Sequence, residues 1–121
     1  MIWVKDFKLI DGDLEGGADV WLTDGRFECC CFAWPFDGKV GNSYDQLISW
    51  LEVSNLVRSD VDIPILKQLD GWNHFVVGQL IDQKNGTVQV GEFLFDLEGT
   101  IPNDTQEGKY VEFKAHRPDM Y

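Results

Sequence analysis

Residues 75–95 read FVVGQLIDQKNGTVQVGEFLF and decide the fold class of this chain. At their centre the pair Asn85-Gly86 separates two runs rich in Val, Leu and Phe. Asn and Gly tolerate the positive φ angles of a two-residue hairpin turn between antiparallel strands. We therefore predict that Asn85-Gly86 closes a two-residue hairpin in which Asp82 and Thr87 stand at facing strand ends.

A second hairpin is predicted nearer the start of the chain. Asp24-Gly25 lies between VWLT at residues 20–23 and RFEC at residues 26–29. The turn pair has the same chemistry, and both flanks carry the β-branched and aromatic residues that favour strands. The two turn signals together indicate antiparallel pairing in both halves of the chain.

Alternation of apolar and polar residues extends the strand assignment to both ends. It predicts a first strand over residues 2–10 and a last strand over residues 110–116. Within residues 87–97 the apolar residues change phase. A β-bulge near Gly91 would absorb that change, because a bulge inserts one unpaired residue into a strand.

The middle of the chain contains the one helix that the pattern predicts. Ser43 is followed three residues later by Gln46, which matches a capping box. Apolar residues then recur at helical spacing at Tyr44, Leu47, Ile48 and Leu51. We predict a short helix over residues 44–52, and a loop with one further helical turn over residues 53–70 that ends at Gly71.

This order of elements, three strands, a short helix and two to three strands, predicts a mainly-β protein. It resembles the order of an OB-type barrel, an antiparallel Greek-key barrel that is partly open and carries its helix between the third and fourth strands. The alternative is an α+β fold in which a curled antiparallel sheet packs against one helix. We expect residues 1–121 to form a single domain, since halves of this length would each be too small for a core of their own.

Charge limits the classes of partner. The chain has 21 acidic and 10 basic residues, a formal net charge of −11. Phosphate backbones and anionic lipid surfaces are bound through Lys and Arg, which are scattered singly here. We therefore expect no nucleic-acid or membrane partner, and a basic protein is the partner that the charge favours. Solubility alone would also account for such acidity.

The cysteines are predicted to be structural. Cys29, Cys30 and Cys31 are consecutive within a strand-like run, so the two faces of that strand share them. An odd, clustered set is a poor disulfide framework, and no Cys-x-x-Cys spacing supports a metal site. We expect buried, reduced thiols. Because residues 1–6 lack a signal-peptide pattern, we also expect a cytoplasmic location.

No catalytic, metal or cofactor motif stands out. Residues 11–16, DGDLEG, begin like a calcium-binding EF-hand loop, but Leu22 occupies the position of its bidentate Glu, so we interpret the segment as an acidic turn. His74 and His116 have no partner in their local sequence. A cryptic hydrolase with a carboxylate pair is therefore only the third hypothesis, and no cofactor is expected.

The five tryptophans suggest a binding surface. Indole rings offer stacking faces for sugars and bases, and OB-type barrels use aromatic side chains in this way. Trp21 is out of phase with its apolar neighbours and Trp50 lies off the predicted helical face, so these two rings are predicted to be the most exposed. Trp21, Trp50 and Trp72 form the candidate ligand-binding set.

Two leading hypotheses for the function follow from these observations. We favour a small acidic binding module, of the inhibitory or immunity type, that recognises a basic protein partner. The alternative is a small-ligand or carbohydrate binder that uses exposed tryptophans. The sequence indicates no oligomeric state.

Overall fold

The computed structural model describes residues 1–10, 16–36, 38–97, 101–102 and 104–120. The acidic turn predicted at residues 11–16 therefore lies, apart from Gly16, outside the described residues. The strands, in chain order, are β1 Trp3–Leu9, β2 Ala18–Thr23, β3 Glu28–Ala33, β4 Ile48–Arg58, β5 Ile65–Gln68, β6 Asn73–Asp82, β7 Thr87–Val90, β8 Phe93–Asp96 and β9 Tyr110–Asp119. The described ranges hold no helix long and apolar enough to cross a membrane.

Five of the strands close into a barrel. Around the barrel the order is β9, β4, β8, β7 and β6, and β6 pairs with β9 to complete the ring. Neighbouring strands are antiparallel except β4 and β8, which run parallel. The predicted mainly-β class with an OB-like barrel is confirmed. The α+β alternative required a packed helix, and the described residues form no α-helix.

The barrel interior is filled by side chains at alternate strand positions. The largest fully buried side chains there are Phe93, Phe95 and Phe113. Because successive side chains of a strand point to opposite faces, each barrel strand sends every second residue inward. Burial of each such ring contributes roughly 1.5–3 kcal/mol of transfer free energy.

Strands β1, β2 and β3 form an antiparallel meander beside the barrel. The meander joins the barrel through a short parallel pairing of β3 with β9, in which Phe32 stands opposite Asp119. One face of the meander packs into the same hydrophobic cluster as the barrel, and its residues include Val20, Leu22, Cys29 and Cys31. The other face of β2 and β3 carries Asp19, Trp21, Cys30 and Phe32.

The predicted helix over residues 44–52 is wrong. Its second half is the start of β4, whose backbone pairs with both β8 and β9. Ile48 and Trp50 are buried at strand spacing, whereas Leu47 and Leu51 of the predicted helical face are 39% and 53% exposed. Pairing with two neighbouring strands supplies the hydrogen bonds that a helix would otherwise make, and it overrides the local pattern.

The predicted loop with a helical turn over residues 53–70 is also wrong. Strand β4 continues to Arg58, and β5 pairs with β6 as an antiparallel hairpin. Pro64 directly precedes β5 and therefore removes no hydrogen bond from the ladder. A register shift between Ser54 and Val57 also interrupts the regular pairing of β4 with β9.

Both predicted hairpins are present, with longer loops than predicted. Asp82 pairs with Thr87 as predicted, but four residues, 83–86, connect them, so the two-residue turn is wrong. The Asp82 carboxylate accepts the Asn85 backbone N–H at 3.1 Å and the Asn85 side-chain amide at 2.7 Å. The β2–β3 hairpin likewise has a four-residue loop, residues 24–27.

The predicted bulge near Gly91 is wrong. Gly91 and Glu92 form the tight turn between β7 and β8, in which Val90 pairs with Phe93. The φ angle of Gly91 is 57°, in the left-handed region that glycine adopts without steric cost. The change of apolar phase therefore marks a reversal of the chain. The end strands β1 and β9 agree with the prediction, although β9 extends to Asp119.

Candidate functional site

A cleft lies between the outer face of β2–β3 and the loop that joins β5 to β6. On the two strands, Asp19 pairs with Phe32 and Trp21 pairs with Cys30, so these four side chains share one face. The cleft has a volume of about 450 Å³. We call it the indole cleft, and its lining includes Asp19, Trp21, Gln68, Asp70, Trp72 and His116.

The β5–β6 loop brings Trp72 into this cleft. The Leu69 N–H donates to the Asn73 carbonyl at 2.7 Å, and the Asn73 N–H donates to the Asp70 carbonyl at 2.9 Å. Gly71 has a φ of 55°, which lets the chain turn sharply between them. The turn therefore presents Asp70 and Trp72 to the same cleft.

Hydrogen bonds hold both indole rings of the cleft in place. The Trp72 Nε1–H donates to Asp19 Oδ1 at 2.8 Å, and the Trp21 Nε1–H donates to Gln68 Oε1 at 3.3 Å. The Trp72 ring also makes an edge contact with Phe32, with centroids 5.7 Å apart. Because both rings are positioned by the protein itself, a ligand would not have to order them on binding.

The charges of the indole cleft are negative. Asp19 Oδ2 and the carboxylate of Asp70 have no hydrogen-bond or ion-pair partner among the described residues. No Lys or Arg occurs among the described residues that line the cleft. The cleft therefore combines two aromatic rings with two carboxylates that are free to accept hydrogen bonds.

A smaller depression adjoins the indole cleft and shares Asp70, Asn73 and His116 with it. It has a volume of about 360 Å³ and adds Glu52 and Lys114. His116 faces Glu52 on one neighbouring strand and Asn73 on the other. The His116 Nδ1 atom lies 2.8 Å from Asn73 Oδ1, so the ring donates from Nδ1 to the amide oxygen.

The floor of the indole cleft contains a thiol that is not a nucleophile. Burial, and secondly the nearby negative charge of Asp19, raise the pKa of Cys30 to about 12. At neutral pH Cys30 is therefore a protonated thiol, and only the thiolate is reactive. Cys29, Cys30 and Cys31 are all buried and free of disulfide bonds, which confirms the prediction that they pack as apolar residues.

Two of the three predicted tryptophans meet in the indole cleft. Trp21, on β2, and Trp72, in the β5–β6 loop, both line it. Trp50 is only 8% exposed, so the prediction that its ring is exposed is wrong. It points into the barrel at strand spacing with Ile48, and its ring lies 5.1 Å from those of His74 and Phe95.

The polar side chains of the site are not among the residues that the sequence predicts. Asp19 carries a usable signal, because it shares the outward phase of Trp21 on β2. Gln68, Asp70 and His116 carry none, since the pairing of β6 with β5 and with β9, which brings them to the cleft, is not visible in their local sequence. The described residues contain no group of three or more His, Cys, Asp or Glu suited to a metal ion.

Comparison of the chain with protein-family models, curated proteins and solved structures finds no match.

Proposed function

We propose that this protein is a small binding module that takes a basic segment of a partner protein into the indole cleft. One observation carries the proposal: two hydrogen-bonded indole rings and the carboxylates of Asp19 and Asp70 line one cleft, whose described lining residues include no Lys or Arg. A cation gains from both kinds of group, through its attraction to the ring face and through charge-assisted hydrogen bonds to carboxylates.

The charge of the whole chain supports the same class of partner. A net charge of −11 steers basic surfaces toward the protein and repels acidic ones. The cleft, at about 450 Å³, has room for one or two side chains of a bound segment. The proposed partner therefore inserts an exposed basic loop or terminus, and charge elsewhere accelerates its approach.

A pair of double variants tests whether the cleft itself binds. Asp19→Asn with Asp70→Asn removes both carboxylates of the cleft at nearly constant shape. Asp60→Asn with Asp62→Asn is the matched control, because both residues are exposed in the β4–β5 connection. Each double variant removes two negative charges and so changes the net charge from −11 to −9.

The readout is the anisotropy of a fluorescein-labelled peptide of alternating Arg, Lys and Gly, measured at low and at physiological salt. We expect the wild type to bind at low salt and the cleft variant to lose about tenfold in affinity, the equivalent of one charge-assisted hydrogen bond. The control variant should stay within about twofold of the wild type. Equal losses in both variants, or no binding by the wild type at low salt, would contradict the proposal.

Carbohydrate binding is the second candidate function, and the amides of the cleft favour it. Gln68 and Asn73 line the same cleft as the two indole rings, and ring faces with neighbouring amides suit the apolar and hydroxyl surfaces of sugars. A titration with chitotetraose and cellotetraose, followed by tryptophan fluorescence, separates the two candidates. Binding of a neutral sugar that salt does not weaken would favour this second candidate over a basic segment.

A further inference from the structure

We infer that the indole cleft selects the guanidinium group of an arginine side chain over the ammonium group of lysine. The inference rests on the proposed function, and it starts from an arginine that the protein already holds next to the cleft. The guanidinium of Arg117 lies 4.8 Å from the centre of the Phe32 ring. It also donates from Nε and Nη2 to the two oxygens of Asp119, at 3.0 and 3.3 Å.

The cleft repeats this pairing of an aromatic ring with a carboxylate on the other side of Phe32. Asp19, Phe32 and Asp119 stand in one row across β2, β3 and β9. The Phe32 ring contacts Arg117 and also makes the edge contact with Trp72. Trp72 and Asp19 are thus the neighbouring copy of Phe32 and Asp119.

The first copy, Phe32 with Asp119, and the second copy, Trp72 with Asp19, differ in the hydrogen bonds that the carboxylate accepts. Both oxygens of Asp119 are occupied by Arg117. Asp19 has one oxygen bonded to the Trp72 Nε1–H, and its Oδ2 has no cation among the described residues. The second copy therefore offers a ring and a fixed carboxylate, and Asp70 adds a second carboxylate to the same cleft.

Guanidinium chemistry fits this arrangement better than ammonium chemistry. A guanidinium is planar and weakly hydrated, so it stacks on an aromatic ring while its five N–H groups donate within its own plane. Such a group suits a cleft that places indole rings and the carboxylates of Asp19 and Asp70 together. An ammonium is compact and strongly hydrated, and it cannot stack and donate to both carboxylates in this planar way.

NMR spectra of the ¹⁵N-labelled protein measure where a probe binds, because each of the five tryptophans gives its own indole N–H signal. The probes are N-acetylarginine amide and N-acetyllysine amide, titrated separately at low salt. We expect both probes to move the Trp21 and Trp72 signals, with the arginine probe binding about threefold tighter or more. The signal of the buried Trp50 should not move.

Variants test whether the arginine preference depends on the Trp72 ring and on the Asp19 carboxylate. Trp72→Leu should lose the arginine preference, whereas Trp34→Leu, which removes a 67% exposed tryptophan, is the control and should retain it. Asp19→Asn keeps the shape of the site and should weaken the arginine probe, so the inference does not depend on how well Trp72→Leu folds.

The outcomes separate the two claims. Equal affinity for both probes, still weakened by Asp19→Asn, would overturn the arginine preference and leave the proposed function standing. If neither probe moves the Trp21 and Trp72 signals, and the basic peptide does not bind at low salt, both the inference and the proposed function fail. Movement of the Trp34 signal alone would also overturn the inference, because it would locate binding outside the cleft.

Discussion

His74 and Cys30 are joined by a hydrogen bond in which the backbone N–H of Cys30 donates to His74 Nε2 at 3.2 Å. On its other side the His74 ring donates from Nδ1 to the carbonyl of Trp72 at 2.8 Å. The fully buried imidazole therefore links β6 to β3 beneath the indole cleft. Because Nε2 acts as an acceptor here, the ring is neutral in the folded protein.

This arrangement predicts that acid destabilises the fold through His74. Burial lowers the pKa of His74, although its hydrogen bond to Trp72 acts in the opposite direction. The unfolded chain takes up a proton near pH 6.5, above the pKa of the folded state, so the unfolded state binds more protons in between. The free energy of unfolding should therefore fall as the pH drops below about 6.5.

Urea unfolding between about pH 7.5 and about pH 5 measures this effect, since most carboxylates titrate below that range. A glutamine at position 74 cannot take up a proton. The His74→Gln variant should therefore show a smaller slope of the free energy of unfolding against pH. His116→Gln, which removes the other histidine, is measured beside it as the control for the loss of a histidine side chain. An unchanged slope in His74→Gln would show that His74 does not contribute.

The three thiols should resist labelling in the native protein. The pKa of Cys30 is about 12, raised by burial and by the charge of Asp19, and Cys29 and Cys31 have no exposed surface. A thiol reagent such as Ellman's should therefore react slowly at neutral pH, and denaturant should release three thiols per chain. Rapid labelling of the folded protein at all three positions would contradict the structural role.

Asp24 should be the most sensitive residue of the β2–β3 turn. Its Oδ1 accepts the backbone N–H of Arg26 at 2.9 Å and that of Phe27 at 2.7 Å, while Oδ2 accepts the N–H of Glu92 at 2.9 Å. One carboxylate thus joins the β2–β3 and β7–β8 turns. We expect Asp24→Ala to lower the free energy of unfolding by about 1–3 kcal/mol, measured by urea denaturation.

Asp24→Asn is the matched control for that prediction. Its amide oxygen can still accept the N–H groups of Arg26 and Phe27, and only the bond to Glu92 is lost. The loss should therefore be smaller than in Asp24→Ala. Equal losses would mean that the bonds within the β2–β3 turn contribute little.

The hairpins could be predicted because their signal is local. Asp24-Gly25 marks a reversal of the chain whatever the rest of the fold does, and Asp82 does face Thr87. The length of the loops was missed because side chains such as Asp82 close four-residue loops by hydrogen bonds that a turn pair does not reveal.

The helix error and the incomplete site have one cause, which is pairing between distant segments. The helical spacing near Leu47 and Leu51 is real, but β4 is held by β8 and β9, which come later in the chain. Trp21 was found because alternation on β2 is local. Asp19 and Trp72 are 53 residues apart in sequence, and the loop of the β5–β6 hairpin brings Trp72 to Asp19.

The indole cleft also predicts what this OB-like barrel will not bind. Exposed aromatic rings on such barrels can stack with nucleic-acid bases, but the phosphate backbone must then lie along a basic groove. Here the two rings are flanked by Asp19 and Asp70, in a chain of net charge −11. Affinity for nucleic acid comes largely from Lys and Arg that release counterions from the phosphates, whereas the carboxylates here repel phosphates. We therefore expect no micromolar binding of DNA or RNA at physiological salt. A mobility-shift assay with single- and double-stranded oligonucleotides, at low and at physiological salt, measures this. Micromolar or tighter binding at physiological salt would contradict the charge argument and would favour a nucleic-acid role for the cleft over a basic protein partner.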